Sequence, residues 1–485
     1  MSFQSTQFWI FFAAIFAVLY WLPQRFRWVL LLGASYFFYA RTRPVFLLLL
    51  VAPTLLAYGA ARWLERIQVP KKKRLVFWTS LALVLGVLVV CKYLDLLGET
   101  IWGLLGPVFG GAPFRAFDWI LPLGVSFYTF RLISYLADVY LGKLPAERHL
   151  GLLALYVSYF PQLLAGPIER AGPFIAKLRA PAPFDCLAIE SGVVQIAWGF
   201  FKKMVVADRL ALFVTHVFAS PEHQGAHLLF GAYFYAFQIY CDFSGYSDIA
   251  IGLSRMLGIE SVKNFDRPYG SRSITQFWSR WHMSLSHWLR DYLFLPVAYG
   301  TMNRIPGERL LGIKAEYWSY AAGTLVTMFL GGLWHGASWN FVIWGLVLGF
   351  FMILSNGTKN LRKRWARRSG LKNHPHWQGA IGLLLTFHMV SFAWVFFRAP
   401  TLGAAYRYLH WMQFKLPLAG VVNLGVDAGL ILIFLLIETL AYRLPTLPAW
   451  QLVPRPVKLA GFALFCVLTI VLSIDTSNEF IYFRF

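Results

Sequence analysis

Apolar segments long enough to cross a lipid bilayer recur along almost the whole chain, and they constrain the fold more than any other feature. The hydrocarbon core of a bilayer is roughly 30 Å thick, which an α-helix crosses in about 20 residues. Backbone N–H and C=O groups must be paired internally there, and these segments are too continuous for the alternating pattern of a membrane β-barrel. We therefore predict an all-α, polytopic membrane protein with a single domain over residues 1–485.

The apolar pattern predicts about 11 to 13 membrane helices. Segments 28–40 and 151–166 are short for a complete crossing, so we expect them to be tilted, re-entrant or buried in the bundle. The predicted spans are 7–22, 28–40, 45–63, 76–97, 119–140, 151–166, 188–216, 227–257, 317–334, 338–355, 378–397, 424–443 and 457–474.

The charge balance is strongly basic, with 44 Lys and Arg against 22 Asp and Glu. In a soluble protein this excess would suggest nucleic acid. In a membrane protein, basic residues concentrate in cytoplasmic loops and face anionic lipid. We therefore expect membrane lipid and no nucleic acid as a partner. The densest basic stretches, 62–74 and 359–372, are predicted to be cytoplasmic, and counting back three spans from the first places the N-terminus outside.

Several motifs of catalytic proteins are absent from the sequence. It has no G-x-S-x-G elbow, no P-loop and no H-E-x-x-H pair, which argues against serine hydrolysis, ATP-driven pumping and zinc proteolysis. The four cysteines are scattered without metal-ligand spacing. We expect no bound metal or cofactor.

The first polar constellation lies in "GGLWHGASWN", between two apolar spans. One span, 338–355, separates it from the basic stretch 359–372, so His335 is predicted in a tight turn at the far end of that span. An ionisable group at membrane depth is a candidate functional residue, because its burial is costly. The alternative is an interfacial histidine that is hydrogen-bonded beside Trp334 and Trp339.

The second constellation, "FWSRWHMSLSHWLRDY", contains His282, His287 and Asp291. It is typical of an amphipathic helix at the membrane interface, where these groups would meet lipid headgroups. His287 and Asp291 are four residues apart and are expected to face each other on a helix.

The third constellation, "YCDFSGYSDIAIG", contains Asp242, Ser244 and Asp248. Carboxylates and hydroxyls need partners if they are buried. Asp242 and Asp248 do not share a helix face. A supporting network is therefore favoured over catalysis.

Taken together, these constellations favour acyl transfer to an alcohol. A histidine removes a proton from a hydroxyl without a metal, since its unperturbed pKa is near 6.5.

At these residues the chain resembles the membrane-bound O-acyltransferase family, in particular the bacterial branch that O-acetylates alginate and peptidoglycan. The similarity extends over nearly the whole chain. It is carried by "LPLGVSFYTFRLISYLADVY", "YFPQLLAGPIER", "GFFKKMVVADRL", "YCDFSGYSDIAIGLSRMLGI", "NFDRPYGSRSITQFWSRWHMSLSHWLRDYLFLP", "LGGLWHGASWNFVIWG" and the ending "FIYFRF".

The resemblance implies a ring of tilted helices around a central funnel or tunnel. It also implies that His335 is the catalytic histidine and that His282 is the second active-site residue. No role transfers to His287. The implied reaction moves an acetyl group from a cytoplasmic thioester such as acetyl-CoA towards an extracytoplasmic polysaccharide. Residues expected to support the tunnel or site are Asp242, Asn340, Trp334 and Ser244, and those expected to meet donor phosphates are Arg280 and Lys263.

The resemblance further implies a location in the bacterial inner membrane and a separate extracytoplasmic, serine-dependent acetyltransferase as partner. D-alanyl transfer to teichoic acid on the same fold is the nearest alternative. A transporter without covalent chemistry would be expected to show inverted repeats and broken helices in matching halves, which the sequence lacks. A non-catalytic scaffold is a third alternative.

Overall fold

A computed structural model describes most of the chain, namely residues 1–109, 122–180, 183–222, 225–412, 421–444, 452–474 and 480–481. Within these residues the chain is helical almost throughout. The strands there form one two-stranded antiparallel hairpin, which pairs Arg309–Leu310 with Ile313–Lys314. The predicted all-α architecture is confirmed.

The helices of the first half run up to the centre of the bundle. They are α1 (Thr6–Trp21), α2 (Arg27–Ala40), α3 (Phe46–Arg66), α4 (Pro70–Lys92), α5 (Leu94–Phe109), α6 (Val125–Tyr140), α7 (Leu150–Ser158), α8 (Ala171–Arg179), α9 (Cys186–Phe200), α10 (Asp208–Ala219) and α11 (Ala226–Met256).

The helices of the second half include short ones around the site and long ones at the end of the chain. They are α12 (Ile274–Trp278), α13 (Met283–Leu289), α14 (Leu295–Met302), α15 (Ala315–His335), α16 (Trp339–Gly357), α17 (Lys359–Arg368), α18 (Pro375–Arg398), α19 (Leu402–Trp411), α20 (Val421–Arg443) and α21 (Arg455–Leu472).

Six of these described helices are long and apolar enough to cross a bilayer, which confirms a polytopic membrane protein. They are Phe46–Arg66, Pro70–Lys92, Trp339–Gly357, Pro375–Arg398, Leu424–Arg443 and Arg455–Leu472. The number of 11 to 13 spans, the central tunnel and the single domain stay predictions.

Three predicted spans differ in detail from the helices observed. Span 76–97 runs past the end of α4 and into α5. In segment 151–166 only α7 is helical, and the chain then forms an irregular turn towards α8. Segment 188–216 is one continuous helical path in which a π-helical stretch, Phe201–Ala207, joins α9 to α10. The start of the predicted span 119–140 and residues 482–485 of the ending "FIYFRF" lie outside the described residues.

Helix α11 forms the centre of the bundle and is buried along nearly its whole length. It packs against α9, α10 and α18. Its approach to α9 is set by two glycine pairs. A Cβ added at Gly252 would lie 2.6 Å from the carbonyl oxygen of Gly192, and one at Gly245 would lie 2.7 Å from that of Gly199. Small residues of this kind let membrane helices pack backbone against backbone.

The glycine contact predicts a stability effect. Gly252→Ala forces α9 and α11 apart, so we expect a loss of about 1–3 kcal/mol in the free energy of unfolding. Gly86→Ala in α4 is the matched control, since nothing lies within 4 Å of the added methyl group. It should leave stability unchanged or raise it by up to about 1 kcal/mol through helix propensity. Thermal unfolding in detergent, followed by tryptophan fluorescence, compares the two, and equal midpoints would contradict the close approach.

Candidate active site

The site is built on a helical hairpin. Helix α15 ends at His335, residues 336–338 form a tight turn, and the Ser338 hydroxyl caps α16 by accepting from the backbone N–H of Asn340 at 3.4 Å. A Cβ added at Gly332 would lie 3.0 Å from the carbonyl carbon of Phe341, so the two helices nearly touch. The structure therefore confirms a tight turn between the two helices, and it places His335 in the last residue of α15, just before that turn.

Aromatic rings enclose the imidazole of His335. Its ring centroid lies 4.8 Å from that of Trp334, 4.9 Å from that of Trp344 and 5.3 Å from that of Phe397. Only 6% of His335 is exposed. Among the described residues, the buried indole N–H of Trp344 has no hydrogen-bond partner. A polar donor without a partner therefore lies beside the histidine.

A cation from another helix holds the end of α15. Lys92, the last residue of α4, donates from Nζ to the carbonyl oxygens of Trp334 at 2.5 Å and of His335 at 3.3 Å. The neighbouring Tyr93 hydroxyl donates to the carbonyl oxygen of Leu333 at 2.9 Å. The last carbonyls of a helix lack internal partners and carry partial negative charge. Lys92 and Tyr93 satisfy them at the turn that positions His335.

His282 lies at the start of α13 and is fully buried. Its backbone is left-handed, with φ 42° and ψ 54°, a conformation that non-glycine residues adopt only when their surroundings enforce it. Its ring contacts Phe243 at 4.7 Å and Trp334 at 6.2 Å between centroids. Trp334 therefore contacts both imidazoles, and the structure brings the two predicted histidines together at one aromatic ring.

The side chain of Asn264 forms a hydrogen-bonded shell around His282. Its Oδ1 lies 3.2 Å from Nδ1 of His282 and accepts from the backbone N–H and the hydroxyl of Ser284. Its Nδ2 donates to the hydroxyl of Ser247 at 3.1 Å. Its backbone oxygen accepts from the N–H of Met283 at 2.8 Å. The left-handed turn at His282 is thus fixed from both the side chain and the backbone of Asn264.

The third constellation binds lysines rather than the histidines. Asp242 pairs with Lys203 at 2.7 Å, and Lys203 also pairs with Asp208 at 2.9 Å, all three being buried. Ser244 accepts from Lys202 at 2.8 Å, and Asp248 pairs with the same lysine. These contacts join α11 to the π-helical stretch. Asp242 and Ser244 thus have the contacts of a supporting network.

The other predicted polar residues hold elements near the site. Asn340 donates from Nδ2 to the carbonyl oxygen of Ala399 at 2.6 Å, which ties the start of α16 to the end of α18. Asp291 pairs with Arg170 at 2.9 Å and with Arg290 at 3.3 Å. The expected pairing of Asp291 with His287 is thus replaced by arginine partners, since guanidinium offers a stronger charged contact.

A polar cavity of about 340 Å³ reaches the shell of His282. Lys263 lies on its rim and pairs with Asp266 at 2.8 Å, while the carbonyl oxygen of Arg280 accepts from the N–H of Asp266 at 2.9 Å. Lys263 and Arg280, the residues predicted to bind phosphates of the acyl donor, therefore lie near the same cavity, although Arg280 is not part of its lining. The polar lining includes Lys202, Asp248, Arg255, Lys263, Asn264, Arg267 and Glu438.

Lys92, Asn264 and Trp344 were not predicted from the sequence. Lys92 is a lone basic residue at the end of an apolar run, and an ionisable residue at membrane depth indicates a candidate functional residue. Asn264 begins the "NFDRPYGS" part of the motif that contains His282, and nothing in this pattern distinguishes it as a partner of that histidine. Trp344 is indistinguishable in sequence from a residue of the aromatic membrane belt.

The amino-acid sequence matches a known family. The model of the MBOAT, membrane-bound O-acyltransferase family matches residues 149–399. The probable alginate O-acetylase AlgI of Pseudomonas putida is 36% identical over 456 residues, covering 91% of this chain and 87% of the relative. The peptidoglycan O-acetyltransferase of Helicobacter pylori is 31% identical over 414 residues, covering 79% and 73%. The teichoic acid D-alanyltransferase of Streptococcus thermophilus is 30% identical over 288 residues, covering 57% and 68%.

The chain belongs to the membrane-bound O-acyltransferase family. It is an O-acyltransferase enzyme, which sets aside the transporter and scaffold alternatives.

The contacts of Lys92 predict a role in holding the turn that follows His335. Lys92→Met leaves the carbonyls of Trp334 and His335 without their charged donor, and we expect a loss of about 1–3 kcal/mol in stability together with reduced acyl transfer. Tyr93→Phe, which removes one neutral hydrogen bond, should cost only about 0.5–1.5 kcal/mol. Thermal unfolding and transfer activity of the two purified variants are the measurements. A Lys92→Met protein as stable and active as the wild type would show that the turn holds without this cation.

Proposed function

We propose that the enzyme moves an acetyl group from a cytoplasmic thioester, acetyl-CoA, towards an extracytoplasmic polysaccharide. The observation that carries this proposal is the contact of both imidazoles, His282 and His335, with the single ring of Trp334. Two histidines that contact the same buried tryptophan ring supply a base and a second polar group within one aromatic enclosure. Family membership supports acyl transfer as the chemistry that uses them.

The proposed reaction uses His335 as general base. Its imidazole removes the proton of the acceptor hydroxyl while the oxygen attacks the thioester carbonyl carbon. The C–S bond of the tetrahedral intermediate then breaks, and the thiolate leaves with the proton that the imidazolium returns. A positioned general base contributes about 10²–10⁴-fold to the rate. His282 orients the acceptor or stabilises charge near the carbonyl, while Asp242, Ser244, Asn340 and Trp334 support the site.

The donor is proposed to enter through the polar cavity beside His282. Three separate hydrogen bonds, linked through the chain between them, lead from the predicted cytoplasmic stretch 62–74 to the cavity lining and support this side of entry. The N–H of Ala146 donates to the carboxylate of Glu65 at 3.3 Å, and Arg179 donates to the carboxylate of Glu147 at 2.8 Å. Lys177 donates to the carbonyl oxygen of Glu260 at 2.8 Å, next to the lining residue Ser261. Lys263 and Arg280 are the proposed contacts for donor phosphates.

The relatives and the distribution of basic residues support the acceptor and the cellular setting proposed here. The relatives named for alginate and peptidoglycan support a polysaccharide acceptor. We place the enzyme in a bacterial inner membrane with its N-terminus outside, since basic loops favour the cytoplasm. A separate extracytoplasmic serine-dependent acetyltransferase is proposed to complete the transfer onto the polymer.

D-alanyl transfer to teichoic acid is the second candidate, because one relative carries that name. Coverage favours the acetyl reaction. The alginate relative aligns with 91% of this chain, whereas the D-alanyl relative aligns with 57%.

Replacing the proposed base tests the reaction. His335→Ala should lower transfer from radiolabelled acetyl-CoA by about 10²–10⁴-fold, measured as label in polysaccharide or partner protein, with membrane insertion unchanged. His287→Ala is the matched control, since His287 is exposed and no role is assigned to it. Wild-type labelling by a well-inserted His335→Ala protein would refute the role of the base. Labelling by an activated D-alanyl carrier, but not by acetyl-CoA, would favour the second candidate.

The donor path predicts a change in binding rather than in turnover. Lys263→Glu reverses a charge at the cavity rim, so we expect the KM for acetyl-CoA to rise about 3- to 10-fold while kcat stays close to wild type. Lys143→Glu reverses an exposed charge away from the cavity and should change neither value. Equal KM values for the two variants would argue against this entry.

A further inference from the structure

We propose that Asn264 is the positioning residue of His282, holding its imidazole in the Nδ1-protonated tautomer. His282 in its neutral form then acts as a hydrogen-bond acceptor through Nε2. The inference rests on the proposed function and selects between the two roles given there for His282. The ring orients the acceptor hydroxyl, and it does not donate to the thioester carbonyl.

The direction of the hydrogen bonds around Asn264 can be derived from groups that only donate. The backbone N–H of Ile168 donates to the Ser284 hydroxyl at 3.0 Å, so the hydroxyl proton is free to point at Asn264, 2.8 Å away. The backbone N–H of Ser284 approaches the same atom of Asn264 at 3.3 Å. A backbone N–H can only donate, so an amide nitrogen of Asn264 at this position would place two donors against each other. The atom is therefore the oxygen Oδ1.

This assignment fixes the proton on His282. Oδ1 carries no hydrogen, and Nδ1 of His282 lies 3.2 Å from it. The contact is a hydrogen bond only if Nδ1 carries the proton and donates it. In neutral imidazole one nitrogen donates and the other accepts, so the lone pair lies on Nε2. The contact of the other amide atom supports the same orientation of the Asn264 side chain, since Nδ2 donates to the Ser247 hydroxyl at 3.1 Å.

The burial and the backbone contacts of Asn264 hold its side chain against His282 and so stabilise this tautomer. Asn264 is 1% exposed and His282 is fully buried, so the contact between the amide and the ring is shielded from bulk solvent. The backbone oxygen of Asn264 also binds the N–H of Met283, the first residue of α13. One residue therefore fixes the backbone turn and the ring. Asn264 also lines the cavity through which the donor is proposed to enter.

The tautomer is tested by nitrogen NMR on the full protein in lipid bilayers, with ¹⁵N-labelled histidine. The signals of His282 are identified by their loss in His282→Asn. We expect the wild type and Ser247→Ala, which removes a partner of Asn264 but not the contact to the ring, to show Nδ1 protonated. Asn264→Leu should redistribute the proton, and Asn264→Asp, which retains an oxygen, should not. Protonation at Nε2 in the wild type, or an unchanged spectrum in Asn264→Leu, overturns the proposal.

Kinetics separate a positioning role from a purely structural one. In membranes supplied with radiolabelled acetyl-CoA, Asn264→Leu should lower kcat by about 10- to 100-fold with the KM for acetyl-CoA within about threefold, and Asn264→Asp should restore most of the rate. Adding Asn264→Leu to His282→Asn should cause no further loss. A wild-type rate in Asn264→Leu, or the same loss in both backgrounds, overturns a role through His282. Full activity of His282→Asn contradicts the proposed function instead, and the NMR result still decides the tautomer.

Discussion

The structure depends on one constraint, which is that a charge inside a membrane bundle must be neutralised by the protein itself. Lys203 is the clearest case, since it is buried and pairs with Asp242 on α11 and Asp208 on α10. An uncompensated charge of this kind is strongly unfavourable, and removing one partner of a buried pair typically costs about 3–5 kcal/mol. The pairs of Lys203, together with Lys202 and Asp248, therefore fix the position of α11. That helix in turn carries Phe243 against His282.

The site is also assembled through polar partners from distant parts of the chain. His335 and His282 come from separate motifs, and each depends on a group from elsewhere in the chain. Lys92 reaches the end of α15 from α4, and Asn264 reaches His282 from the loop after α11. Trp334 lies where both arrangements meet. His335 is therefore placed by a polar contact at its backbone and His282 by a polar contact at Nδ1, while aromatic rings lie against both imidazoles.

The sequence predicted features that depend on local pattern. The length and apolarity of segments such as 338–355 and 378–397 located α16 and α18 within a few residues, and the small residues after His335 predicted the tight turn. The sequence pattern did not predict contacts between distant segments of the chain. Nothing local to Lys92 indicates a partner at Trp334, because the pairing depends on the end of α4 meeting the end of α15 in the folded chain. The π-helical stretch within segment 188–216 was also missed, since its apolar pattern resembles that of an ordinary helix.

That π-helical stretch has a consequence for how the chain can vary in length. A π-turn accommodates one residue more than an α-turn, and each residue of an α-helix advances the helix by about 100°. In a regular α-helix the extra residue would rotate α10 relative to α9 by about that angle, and the wider turn at Phe201–Ala207 absorbs it instead. With the same number of residues in a regular α-helix, Asp208 would face away from Lys203. This short segment therefore sets the rotational register of two helices, and the number of its residues matters as much as their identity.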